Sequence, residues 1–252
     1  MWWLLAHART RWAVRIRALP FVGGVVHAVS HRVWPSGRRD WVEVERGQAR
    51  GLSLLLDMRY DAKLASGDAE PELQARLSSL VRPGSVVWDV GAHVGFFALT
   101  LARMVAPEGL VVAFEADDAN VDALREAVPR NGLANVEICP VAVWSEPGTV
   151  VFERRSDTAG AINGAVVETG SGVSVTATSL DAELERRRIP DFVKIDVEGG
   201  EEQVLIGARQ LLAEHRPVVV CEVHVSRRGH EELLPRIRDL LEGALHQQTD
   251  IA

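Results

Sequence analysis

The sequence predicts an α/β fold, a mostly parallel sheet with helices on both faces. Three observations carry this. Short β-branched runs recur as buried strands, as in Val86–Val90 and Phe192–Val197. Segments with apolar residues at helical spacing alternate with them. The first of these strands also runs into a glycine turn, Gly91 to Gly95, that opens a helix.

The elements follow in order. After a Gly/Asp/Pro-rich stretch at Ser66–Pro71, Glu72–Leu80 reads as a helix leading to the turn Arg82-Pro83-Gly84. Val86–Val90 is the first strand, and Val94–Val105 a helix stopped by Pro107 and Gly109. Leu110–Phe114 is the second strand. Asp118–Pro129 is a helix capped by Asp117 or Asp118, with Val121, Leu124 and Val128 on its apolar side. Val136–Val143 is a third strand. Thr149–Glu153 and Val173–Ala177 are short strands around a Gly/Ser/Asn-rich loop at Ser156–Gly172. Leu180–Arg187 is a short helix, Phe192–Val197 a buried strand, and Glu201–Leu212 a helix. Val218–Val223 is a strand, with a helix from Glu231 to Glu242 after it.

At 252 residues the chain matches one domain of roughly 200–250 residues, preceded by an arm. We divide it into a basic, Trp/Arg-rich helical arm at 1–50 and a main domain at 51–252. The arm carries +6 and the main domain −13. An acidic main domain argues against nucleic acid as a partner and suits a cationic ligand. Cys139 and Cys221, each in a predicted strand, imply no disulfide framework and a cytoplasmic location. Lys63 and Lys194 are the only lysines, a bias that suggests a GC-rich bacterial genome.

Residues 1–36 admit three readings. The preferred one is an amphipathic helix (Leu5, Trp12, Ile16, Leu19) packing on the domain or on a second subunit of a homo-oligomer. Peripheral membrane contact through the Trp/Arg face is the second. A secretory signal is the third, weakened by Pro20, Gly23 and Gly24 in its apolar run.

In such sheets a ligand sits beyond the carboxyl ends of the strands. Asp89, Gly91 and Gly95 fall at the end of the first strand, the glycines letting backbone approach a ligand. Glu115 falls at the end of the second, 24 residues after Gly91, where a carboxylate can accept from both hydroxyls of an adenosine ribose. Asp89 stands at the first glycine position of the dinucleotide pattern G-x-G-x-x-G, where it would repel a diphosphate. The ammonium and sulfonium of S-adenosylmethionine suit it better.

DVGAHVGFF, FEADDANVDAL, NGLANV, TSLD, FVKIDVEGGEEQVLIGA and CEVH occur in this order and resemble the FkbM family of methyltransferases, a resemblance that spans about Glu70 to His224. The resemblance implies a Rossmann-like class I methyltransferase fold, S-adenosylmethionine as cofactor, and O-methylation of a sugar or natural-product hydroxyl. Carried over by position, Asp89, Gly91 and Gly95 line the methionine moiety, Glu115 takes the ribose, and Ala142 and Val143 flank the adenine. Glu70, Ala92, His93, Ala116 and Asp196 complete the expected cofactor contacts. This chain departs from the family in His93, where asparagine is common, and in Ala69, where an aromatic precedes Glu70. The family also adds a final strand pair; Leu245–Ile251 could supply only one short strand, so the sheet is expected to be shortened there.

A sugar or alkyl hydroxyl is scarcely ionised at neutral pH, so methyl transfer to it needs a base or a metal. Asp196 and Glu198 end one predicted strand; Glu222 and His224 end the next and share a face. We expect these four to be catalytic, with His224 as the base. Asp196 and Glu222 resemble the carboxylate ligands of metal-dependent O-methyltransferases, which adds Mg2+ as an expected cofactor. Lys194 either faces a helix or pairs with a carboxylate. Two other functions compete: a cofactor-binding scaffold without turnover, and an NAD-dependent oxidoreductase, disfavoured by Asp89.

Overall fold

The computed structural model describes residues 38–58, 60–156, 162–167, 172–224 and 230–246. The three readings of residues 1–36 therefore lie outside the described residues. A hairpin of β1 (Asp40–Glu43) and β2 (Ser53–Leu56) comes first, then α1 (Ala62–Ser66) and α2 (Pro71–Leu80). The hairpin spans position 50, and Val44, Ala49, Leu54 and Leu56 pack into the same core as the main sheet.

The central sheet has five parallel strands in the order β5-β4-β3-β10-β11. They are β3 (Val86–Val90), β4 (Leu110–Phe114), β5 (Val136–Cys139), β10 (Phe192–Ile195) and β11 (Val218–Cys221). Between them run α3 (Phe96–Val105) and α4 (Asp118–Arg130), then α5 (Leu180–Glu183) and α6 (Glu201–Ile206), with α7 (His230–His246) last. Every residue of β3 is buried, as expected for a strand covered on both faces, and this includes the carboxylate of Asp89. Alternation along the strands sorts their side chains onto two faces. Val87, Val111 and Ala113 join α3 and α4 in one cluster; Trp88, Val112, Phe114 and Ile195 join α6 and Ile237 of α7 in the other. Leu99 of α3 is fully buried in the first cluster. Leu99→Ala is expected to cost about 2–5 kcal/mol in urea unfolding.

A second, four-stranded sheet lies beside this one, in the order β6-β9-β7-β8. Its strands are β6 (Ala142–Val143), β7 (Gly148–Ser156), β8 (Ile162–Val167) and β9 (Val173–Thr178). The expected single strand at 136–143 is thus two strands in different sheets. Pro140 has no N–H to continue the ladder, and the chain turns there. The stretch expected to be a loop at 156–172 contains β8, paired antiparallel with β7 from Val151↔Val167 to Ser156↔Ile162.

The helix expected over 201–212 is also broken. Gly207 comes so close to the Trp144 carbonyl oxygen that a Cβ there would lie 2.3 Å from it. Asp181 then accepts the N–H groups of Gln210 and Leu211, starting a separate π-helical turn at Leu211–His215. Leu180–Glu183 is shorter than expected for the same region, and Leu245, assigned to a short strand, belongs to α7; residues 247–252 lie outside the described ones. Among the described residues no helix is long and apolar enough to cross a membrane.

Candidate active site

The chain runs outward through β3, β4 and β5, then returns to place β10 on the other side of β3. This reversal splays the loops after β3 and β10 apart, which is where open α/β sheets bind ligands. A cleft of about 810 Å³, counting its open mouth, lies there. Its apolar part is built from Phe114, Val141, Val143, Trp144, Phe152 and Val166. Gly91, His93, Glu115, Ala116, Ala142, Asp196 and Glu198 also line it.

The turn after β3 is tied to the end of β4. The N–H groups of Gly91 and Ala92 both donate to the Phe114 carbonyl at 3.0 Å. Glu115 is nearly buried, and its two oxygens accept the N–H groups of His93 (2.7 Å) and Asp117 (2.8 Å). A carboxylate has about four acceptor sites, so capacity for two further donors remains. Asp117, rather than Asp118, caps α4, accepting from Ala119 and Asn120.

The two glycines serve a different purpose from the one expected. A Cβ on Gly91 would stand 1.9 Å from the Asp196 carbonyl oxygen, and one on Gly95 would stand 2.5 Å from Leu124 and 2.7 Å from Leu99. Both have positive φ. What they admit at close range is neighbouring protein: the loop after β10 in one case, a helix contact in the other. Only Gly91 also lines the cleft.

Asp89 is likewise displaced from its expected place. It is fully buried, neither of its oxygens has a hydrogen-bond partner, and it does not line the cleft. Burial pushes its carboxyl up to about 6, against the pull of Lys194 on the neighbouring strand. Lys194, also buried, donates to Asp196 Oδ2 at 2.9 Å and lies 4.9 Å over the Phe97 ring. Lys194 therefore meets both of its expected roles at once, and its charge is shared between Asp89 and Asp196.

The parallel ladders continue past the strand ends. The Asp196 N–H donates to Val90 and the Glu222 N–H to Ile195, each at 2.9 Å, which sets these carboxylates side by side. His224 is at the centre of the group. Its Nε2 lies 3.8 Å from Asp196, 3.6 Å from Glu198 and 3.6 Å from Glu222, and its Nδ1 lies 2.9 Å from Glu201 Oε1. The hydrogen bond to Glu201 and the other carboxylates outweigh partial burial and raise the imidazole to about 9. The expected base is therefore an imidazolium at neutral pH. Burial raises Glu198, with His224 opposing. Glu70 is raised to about 7, mainly by burial, with Glu222, Asp196 and Asp89 adding to it. Cys221 is pushed up to about 12, first by burial and then by Glu201, and stays an inert thiol.

Glu70, His93 and Glu198 all adopt positive φ (40°, 52° and 56°). Such backbone costs on the order of 1–3 kcal/mol each and is held by its surroundings. At Glu70 the holder is Gln74, whose amide donates to Gly67 and Ala69 and accepts the Gln48 N–H. All the predicted catalytic residues converge, and Gly91, His93, Glu115, Ala116, Ala142, Val143 and Asp196 reach the cleft wall. Glu70, Asp89, Ala92 and Gly95 do not. Sequence reasoning missed Trp144, Phe152 and Val166, which only the second sheet brings to the cleft, and Glu201, which the second of two adjacent glutamates masked.

The hexuronic acid methyltransferase AglP of Haloferax volcanii is 27% identical over 203 residues, covering 75% of this chain and 81% of that protein. Among solved structures, a methyltransferase FkbM from Methylobacillus flagellatus aligns with a TM-score of 0.46 and 18% identity. It covers 69% of this chain, which spans 45% of that longer one. M. jannaschii TYW2, solved in complex with AdoMet, aligns with a TM-score of 0.47 and 16% identity over 84% of this chain and 75% of that one. The family profile described as "Methyltransferase FkbM domain" matches residues 89–248. That match runs from the end of β3 through α7 and takes in all four expected catalytic residues, and the chain belongs to the FkbM family of methyltransferases.

Proposed function

We propose that this methyltransferase transfers the methyl group of S-adenosylmethionine to a hydroxyl of a sugar or natural product. One observation carries the reading: Asp196 and Glu198 line the same cleft as Glu115, and His224 stands against both of them. Glu115, fixed by two backbone N–H groups, is set to accept from ribose hydroxyls, and the apolar walls around Val143 and Phe152 suit an adenine. Among the described residues no lysine or arginine lines the cleft, while three carboxylates do. A dinucleotide's diphosphate would be repelled there and a sulfonium attracted.

When bound, S-adenosylmethionine supplies a methyl carbon on a sulfonium; the acceptor oxygen takes the carbon and the S–C pair returns to sulfur. The chain's residues supply the rest. Holding the acceptor oxygen in line with the methyl carbon is the larger part of the acceleration. His224 Nε2 takes the hydroxyl proton, and Asp196, Glu198 and Glu222 hold the imidazolium that results. The same carboxylates face a positive charge before and after transfer. Beside a sulfonium, His224 would give up its proton more readily than it does at rest, because a second positive charge disfavours the imidazolium. The name of the AglP relative, a hexuronic acid methyltransferase, supports a sugar acceptor.

Magnesium fits less well. Two overlapping groups, Asp196 with Glu198 and His224, and Glu70 with Asp196 and Glu222, bring ligand atoms within 4.8 Å. Both share Asp196, whose oxygens already face Lys194 and His224. An ion about 2.1 Å from those oxygens would sit against two like charges. We therefore read Asp196 and Glu222 as counter-charges and route no step through a metal.

Calorimetry should show S-adenosylmethionine binding and no NAD binding. Labelled methyl transfer to methyl glucoside or methyl glucuronoside should persist within two-fold in EDTA. NAD binding in place of S-adenosylmethionine would overturn the cofactor, and loss of transfer in EDTA would overturn the metal-free mechanism.

A further inference from the structure

Glu201 is fully buried at the start of α6, and its place in the site is not accounted for by the fold alone. Its neighbour Glu202 reaches outward to Arg236. Glu201 instead turns inward. Oε1 accepts the Gly199 N–H at 2.9 Å and faces His224 Nδ1 at 2.9 Å, while Oε2 is buried without a hydrogen-bond partner. A buried carboxylate is costly unless a charge or several donors compensate it. Local capping occupies one oxygen and supplies one neutral donor. The compensating cation is His224.

An ionised carboxylate can only accept, so the proton shared with Glu201 belongs to Nδ1. That leaves Nε2 as the edge facing Asp196, Glu198 and Glu222. We propose that Glu201 is the positioning residue of this site, holding the Nδ1 edge of His224 so that Nε2 meets the acceptor hydroxyl. The inference rests on His224 as the base. It adds a residue that touches neither donor nor acceptor, and it gives the buried glutamate a reason to carry charge. The arrangement matches the general logic in which a base is oriented by a third group behind it.

The test compares E201A and E201Q in the full chain. E201A removes both acceptors; E201Q keeps an oxygen toward Nδ1 but not the charge that retains the proton there. With methyl glucuronoside as acceptor, E201A should lower kcat about 100-fold and E201Q about 10-fold, both with the KM for S-adenosylmethionine within two-fold of wild type. Nitrogen-15 histidine spectra should show a protected Nδ1–H on His224 in the wild type, lost in E201A. A cap serving only the helix would instead raise KM and lower Tm while leaving kcat unchanged, which overturns the proposal. If E201A fails to fold, E201Q decides: an unchanged kcat overturns it. If the wild type transfers no methyl group, the functional reading has failed, and the spectra still test the contact, since an unprotected Nδ1 overturns it.

Discussion

Gly91→Ala is expected to abolish S-adenosylmethionine binding in calorimetry, lowering affinity at least about 100-fold, even in protein that retains its sheet. The added Cβ would lie 1.9 Å from the Asp196 carbonyl oxygen and 2.8 Å from its carbonyl carbon. Neither is the end of a flexible side chain, so the loop after β10 has to move. The φ of +83° adds strain for any residue with a Cβ. Moving that loop displaces Asp196 and Glu198 from the cleft wall and pulls on the hydrogen bond from Asp196 N–H to Val90. Each ångström of misplacement is costly where binding depends on orientation. Gly132→Ala provides the comparison: it too has positive φ, but no atom lies within 4 Å of its added Cβ, so it should bind normally at a small cost in stability. Equal binding by both variants would show that the packing between β3 and the β10 loop does not govern the cleft.

His224→Gln is expected to lower kcat by about 10²–10⁴-fold, the usual contribution of a placed base, and to flatten the pH profile. His224 is raised to about 9, so in the free protein it is protonated below that value and a base only above it. In the wild type kcat/KM should rise with pH and level off near 9, because it reports the free enzyme. The kcat profile should level off at lower pH, because the donor's positive charge favours the neutral imidazole. Stability runs the other way. A histidine raised in the folded state from its ordinary 6.5 contributes stability that is fully present below about 6.5 and lost as pH rises through about 9. Glu198, Glu201, Asp196 and Glu222 all face this ring and cause that loss. Wild-type stability unchanged between pH 6.5 and 9, or an H224Q profile identical to wild type, would remove His224 from the mechanism.

Much of this was legible in the chain. Val86–Val90, Leu110–Phe114 and Phe192–Ile195 are strands because β-branched runs covered on both faces have few alternatives. Their carboxyl ends carried Glu115, Asp196, Glu222 and His224, and the convergence of those residues followed from strand adjacency. Less legible were features decided by a distant partner. Pro140 divides one expected strand between two sheets, and Asp181 restarts the chain beyond Gly207. The segment after Ser156, whose glycines and Asn163 read as a loop, forms β8 because β7 offers it an antiparallel edge.

The turn at Asp89–Gly95 marks the division most clearly. The local pattern of that turn was enough to establish a strand, a tight turn and a helix, since β-branching and glycine act through the backbone of their own segment. That Gly91 makes room for the loop after β10, that a buried lysine on the neighbouring strand faces the charge of Asp89, and that four carboxylates raise the His224 imidazole depends on distances across strands. Charge and excluded volume depend on separation in space, and only the folded chain sets those separations.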